Sequence, residues 1–94
     1  MCFNIQVQGI EFTTSAARHG YTKQDAIHAM LNCRYGPLTA ASRTSGPAPD
    51  LYIGPPSTPD VLVPLIEVMV VKQGRTLVIF HVQAAQQRNL DLFT

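Results

Sequence analysis

Two ionisable residues stand inside the most apolar part of the chain, and they are the first candidates for chemistry. Glu67 and His81 lie within residues 62–82, where aliphatic side chains dominate. Imidazole changes charge near neutral pH and often serves as a general acid or base, and a buried carboxylate has a raised pKa unless a base pairs with it. The alternatives are an outward-pointing Glu67 and a capping or core His81 that is hydrogen-bonded to backbone.

Cationic side chains that could contact phosphate are few. They are Arg34, Arg43, Lys72, Arg75 and Arg88. Seven basic and six acidic residues give a net charge of +1, which weighs against non-specific binding to nucleic acid but leaves room for a local patch. Lys72 and Arg75 flank a predicted turn, where solvation is the commoner role. The three histidines are scattered, so we predict no metal site and no cofactor.

The length of 94 residues suits a single domain over 1–94 with one core. No apolar run reaches the roughly 20 residues that a membrane helix needs, and no signal peptide is visible. The two cysteines, Cys2 and Cys33, lack CxxC spacing. We therefore expect a reduced, cytoplasmic protein with Cys33 as a small buried hydrophobe; a disulfide between the two cysteines is the alternative.

A β-hairpin must position the two candidate residues. Two apolar, β-branched runs flank the polar residues 72–75, which include a glycine, and this pattern is typical of a hairpin at the centre of a sheet. With Gln73-Gly74 as the turn, His81 pairs with Ile66 and Glu67 lies on the opposite face from His81.

The remaining patterns predict shorter elements around this hairpin. They are an edge strand at 3–8, a helix at 11–18 capped by Gly20, and a helix from about Lys23 to Asn32 or Cys33. A short strand within 34–41, a short strand at 51–54 and a helix at 83–90 follow. Thr22 and Asp25 form a capping-box pattern. Asp25, His28 and Asn32 make one polar side, which we interpret as solvated. The order predicts an α+β domain with a small, mostly antiparallel sheet and helices packed on one face.

Several short motifs, taken in order, are similar to the BrnT-type toxin family and its actinobacterial relatives. The first half of the resemblance rests on His19-Gly20, Asp25-Ala26, His28-Ala29 and Asn32, and the second half on Tyr52-Ile53-Gly54, Leu65-Ile66-Glu67-Val68 and Ile79-Phe80-His81-Val82. The resemblance covers roughly residues 15–92.

The resemblance implies a RelE-like fold and the toxin component of a bacterial type II toxin–antitoxin pair. Such a protein cleaves RNA by general acid–base chemistry, and a ribbon-helix-helix antitoxin is its partner. The implied catalytic residues are His81, Arg88 and Glu67, and the implied RNA-binding residues are Arg18, His19, Lys72 and Arg75. This hypothesis predicts a basic concave patch that contains Arg88 and His81, with Arg18 or Arg75 nearby.

Two other hypotheses remain open. A non-catalytic interaction module, binding an antitoxin-like protein or a second copy of itself, predicts an exposed apolar groove or a free strand edge at 3–8. A small-ligand-binding domain predicts a closed pocket behind the sheet, for which the sequence offers no sign.

Overall fold

The computed structural model describes residues 8–39, 48–58 and 61–93. The strands are β1 (Gly9–Phe12), β2 (Tyr35–Thr39), β3 (Asp50–Gly54), β4 (Ile66–Gln73) and β5 (Thr76–Ala84). The helices are α1 (Lys23–Leu31) and α2 (Gln87–Leu90), with 3-10 turns at Ala16–His19 and Asp91–Phe93. Across these described ranges, no helix is long and apolar enough to cross a membrane.

The five strands form one sheet in the order β1-β5-β4-β3-β2. β1 runs parallel to β5, and the other neighbours are antiparallel. The predicted α+β class with a mostly antiparallel sheet is therefore confirmed. The edge strand expected at 3–8 lies largely outside the described residues. The helix expected at 11–18 is largely wrong, because residues 9–12 continue the sheet beside β5 and only a 3-10 turn follows.

One face of the sheet carries the main core. The small and apolar side of α1, with Ala26, Ala29 and Met30, packs on Val68 and Val70 of β4, and all five side chains are buried. The predicted helix start is confirmed: the Thr22 hydroxyl accepts from the Asp25 amide, and the Asp25 carboxylate accepts from the Thr22 amide. This capping box satisfies two amides that the first turn of a helix leaves without partners.

The predicted hairpin is present, but its predicted register is wrong. Gln73 pairs with Thr76, so the turn is Gly74-Arg75, and Gly74 takes the left-handed φ of +61° that glycine favours. Val70 then pairs with Ile79. The next pair joins Met69 to His81, which leaves Phe80 as an extra residue in a β-bulge.

The second face of the sheet is covered by the C-terminal segment. Glu67 pairs with Ile53, and both are fully buried although neither belongs to the main core. Asn89 of α2 bonds the Glu67 carboxylate, and the Phe93 ring lies 5.5 Å from the ring of Tyr35 on the edge strand β2. The expectation that all helices pack on one face holds for α1, whereas α2 lies against the opposite face.

Candidate functional site

The Glu67 carboxylate is the centre of a buried polar network. Its Oε2 atom accepts from His81 Nε2 at 2.7 Å and from Gln83 Nε2 at 3.1 Å. Its Oε1 atom accepts from the Gln86 amide and from Asn89 Nδ2, both at 2.9 Å. The side chain is fully buried, so the interpretation of an outward-pointing Glu67 is wrong. Four donors on two oxygens satisfy the carboxylate as an anion.

The β-bulge at Phe80 is what brings His81 to Glu67. Alternation along β5 would place His81 on the same face as Ile79, which is in the main core. The extra residue at Phe80 reverses the alternation, and His81 lies opposite Met69 on the Glu67 face. Bulges are common beside functional sites because they re-aim a side chain in this way.

The chemistry of the carboxylate fixes the protonation pattern of the His81 ring. An ionised carboxylate can only accept, so Nε2 of His81 must carry the proton in the 2.7 Å bond. In the neutral ring, Nδ1 then holds the lone pair. The side chain is 29% exposed, so part of the ring is open to solvent. This is the arrangement of a general base that an anionic partner orients.

The electrostatics support an ionised Glu67. Burial raises the pKa of the Glu67 carboxyl, but the bonds from Asn89, the Gln86 amide, His81 and Gln83 together outweigh it and lower the pKa below its ordinary value of 4.5. Burial is the largest single contribution, and the four donors act in the opposite direction. The carboxylate is therefore held charged inside the fold near neutral pH.

The structure does not gather the predicted basic residues at this pair. Arg88 is exposed on α2, next in the chain to Asn89. Lys72 lies five residues beyond Glu67 along β4, about 17 Å away at the rise of a strand.

Three further predicted contacts lie elsewhere. Arg75 is in the turn of the hairpin, and Arg18 and His19 end a 3-10 turn whose Ala16 belongs to the main core on the opposite face. Roles for these three residues and for Lys72 in binding RNA stay predictions. Arg88 is the cation nearest in the chain to the residues that contact Glu67.

A second polar cluster lies at the start of α1. The Asp25 carboxylate is buried and accepts from the Ser57 hydroxyl at 2.6 Å and from the Thr58 amide at 3.2 Å. Burial raises the pKa of Asp25, but these bonds and those from Thr22 lower it below the ordinary value of 3.8. His28 Nδ1 lies 2.9 Å from the Pro55 carbonyl oxygen, and because a carbonyl only accepts, Nδ1 must donate.

The interpretation of a solvated polar side on α1 is therefore wrong at two positions. Asp25 and His28 fasten the helix to residues 55–58, and Asn32 donates from Nδ2 to the His28 carbonyl oxygen at the end of the helix. Sequence reasoning missed Ser57 and Thr58 because the partners stand 32 and 33 residues from Asp25. These bonds give Asp25, His28 and Asn32, the polar side of α1, a structural role.

Among the described residues, no group of three or more His, Cys, Asp or Glu side chains could hold a metal ion. Cys33 is disulfide-bonded, so the prediction of a reduced thiol there is wrong. Cys2, the other cysteine of the chain, lies outside the described residues.

An open apolar groove of about 170 Å³ lies beside the end of the hairpin. Its walls are Leu62, Val63, Pro64, Leu65, Ala84, Ala85 and Leu90. Val61 and Leu62 are 99% and 90% exposed, which is unusual for large aliphatic residues that adjoin one another.

The comparisons with known proteins add nothing to this geometry. No family model matches the chain, and no curated protein or solved structure matches it significantly.

Proposed function

We propose that this chain is a toxin-type ribonuclease in which Glu67 and His81 supply the base. The observation that carries the proposal is the 2.7 Å bond between the buried Glu67 carboxylate and a partly exposed His81. A fixed anion behind an imidazole orients the ring and stabilises the charged form that develops when the ring takes a proton. The motif similarity to BrnT-type toxins points to RNA as the substrate and to a RelE-like fold.

In the proposed step, His81 Nδ1 takes the proton from a ribose 2′-hydroxyl. The 2′-oxygen attacks the adjacent phosphorus, the bond to the 5′-oxygen breaks, that oxygen takes a proton from water, and the protonated His81 gives its proton to the hydroxide that is left. The products are a 2′,3′-cyclic phosphate end and a 5′-hydroxyl end. Arg88, which is exposed beside Asn89, is the candidate to pair with the phosphate.

The test is cleavage of a labelled RNA by the purified protein. His81→Gln is the main variant, because its amide can still donate to Glu67 but has no basic nitrogen. We expect the variant to lose about 10²–10⁴-fold in rate, the usual contribution of a general base. A strand with 2′-deoxyribose throughout should not be cut. Equal cleavage by wild type and His81→Gln, prepared identically, would refute the proposal.

A specific observation favours a second candidate, a non-catalytic interaction module. Val61 and Leu62 are exposed beside the apolar groove, and burial of such a patch is a usual driving force for association. The proposed occupants are an antitoxin of ribbon-helix-helix type or a second copy of the chain. Sedimentation of wild type and Val61→Ser tests whether a second copy of the chain is the occupant. A dimer that dissociates in the variant supports self-association, and a monomer in both proteins contradicts it.

A cytoplasmic location belongs to the first proposal. The disulfide at Cys33 weighs against it, because disulfides are rare in that compartment. Alkylation of free thiols during lysis, followed by mass measurement, distinguishes a cytoplasmic location from an oxidising compartment. A labelled Cys33 supports the cytoplasm, and an unlabelled Cys33 supports an oxidising compartment.

A further inference from the structure

The two oxygens of Glu67 serve two different parts of the fold. Oε2 binds His81 and Gln83, which lie on β5. Oε1 binds the Gln86 amide and Asn89 Nδ2, which belong to the C-terminal segment. Because one rigid carboxylate joins both sets, any rotation that improves one set changes the other. The position of the segment and the direction of the His81 ring are therefore coupled through Glu67.

The C-terminal segment 86–93, here called the strap, is lightly attached. It consists of a four-residue helix and a three-residue 3-10 turn, and no residue of either is fully buried. Gln86 caps α2 without a side-chain bond. At its far end the Phe93 ring contacts Tyr35, which is itself 41% exposed. Short helices of this kind depend on tertiary contacts, and Asn89 gives the strap a side-chain bond to a fully buried group.

We propose that Asn89 is a positioning residue: docking of the strap through Asn89 sets the direction of the Glu67 carboxylate and so holds His81 with its proton on Nε2. The strap then assembles the site as well as covering the sheet. The inference rests on the proposed function for its effect on cleavage, but the state of His81 is a property of the folded protein alone.

The test is the side-chain ¹⁵N spectrum of the histidines, recorded at mildly alkaline pH. Asn89→Ala removes the donor, and Asn89→Asp keeps the size of the side chain but replaces the donor with an acceptor. Gln87→Ala is the matched control: Gln87 is on the same helix and donates to Asp91 Oδ1 at 2.8 Å, with no bond to Glu67. His28, which has its own bond to Pro55, is an internal reference.

In both Asn89 variants, we expect the His81 Nε2 proton to exchange with water about tenfold faster, the usual effect of losing one hydrogen bond to a charged group. The His81 signals should move toward a mixture of the two neutral forms. Gln87→Ala and the His28 signals should match wild type. Wild-type His81 signals in a folded Asn89→Ala or Asn89→Asp protein would overturn the inference, as would an equal change in Gln87→Ala.

The cleavage assay separates this inference from the proposed function. If the protein cleaves RNA, Asn89→Ala should lower the rate about tenfold and Gln87→Ala should leave it unchanged. If the protein cleaves no RNA but the His81 signals change as expected, the proposed function fails and the positioning role stands. If cleavage depends on His81 while Asn89→Ala changes neither the signals nor the rate, the positioning role fails alone.

Discussion

Replacing Glu67 with glutamine should destabilise the protein strongly although the two side chains have nearly the same shape. All four partners of Glu67 donate: His81, Gln83, the Gln86 amide and Asn89. A glutamine offers one acceptor oxygen, so its amide nitrogen would face two donors. With the ring and amide orientations of the folded protein retained, two of the four bonds are lost and two N–H groups are left without an acceptor.

The size of the effect follows from these two lost bonds. A hydrogen bond to a charged group contributes about 1.5–3 kcal/mol, and the neutral amide is cheaper to bury than the carboxylate. We therefore expect Glu67→Gln to lower the free energy of unfolding by about 2–4 kcal/mol, measured by urea denaturation near neutral pH. Glu11→Gln is the control, because Glu11 is an exposed acid on β1. A loss under about 0.5 kcal/mol for Glu67→Gln, the range of ordinary surface substitutions, would refute the reasoning.

The same variant should change the dependence of stability on pH. The pKa of Glu67 in the folded protein lies below its ordinary value of 4.5, so the unfolded chain binds more protons between the two values. The stabilisation from Glu67 is present above pH 4.5 and is lost as the pH falls through the folded-state pKa. Glu67→Gln should therefore lose less stability on acidification than wild type. A steeper acid loss in the variant would contradict the assigned direction.

Two further substitutions test the packing and the cluster on α1. Gly54→Ala would place a methyl group 2.4 Å from a backbone oxygen of α1, whereas a Cβ at Gly9 meets no atom closer than 4.0 Å. We therefore expect Gly54→Ala to lower the free energy of unfolding by about 1–3 kcal/mol. The control Gly9→Ala should lower it much less, as measured by thermal or urea unfolding. Ser57→Ala removes the 2.6 Å bond to Asp25 and should cost about 1 kcal/mol. Ser15→Ala is its control, since Ser15 makes no capping bond, and equal losses in the two serine variants would count against the role of the Asp25 cluster.

Local patterns in the sequence predicted the elements best where the signal lay within a few residues. The start of α1 follows from Thr22 and Asp25, and the hairpin follows from two apolar runs around a glycine; both are present. The hairpin register could not be derived in the same way. Gly74 can occupy either position of a two-residue turn, and no residue pattern marks the bulge at Phe80.

The partners of the buried acids lay beyond the reach of sequence patterns. Both Glu67 and His81 stand out in the sequence as ionisable residues in apolar strands, but the predicted register places them on opposite faces. Their contact depends on a bulge, and the other donors stand up to 22 residues away from Glu67. Gln83 lies in β5 itself, and the Gln86 backbone amide and the Asn89 side chain follow that strand, so no local pattern marks them as partners of one acid.

The most direct test is to determine which ring nitrogen carries the proton in neutral His81 of the wild-type protein. Long-range couplings between ring nitrogens and ring protons give the answer. We predict a proton on Nε2 of His81, held by Glu67, and a proton on Nδ1 of His28, held by the Pro55 carbonyl. His81 and His28 would then show opposite neutral tautomers in one spectrum. A proton on Nδ1 of His81, or rapid averaging of its two forms, would contradict the claim that Glu67 orients this ring as a base.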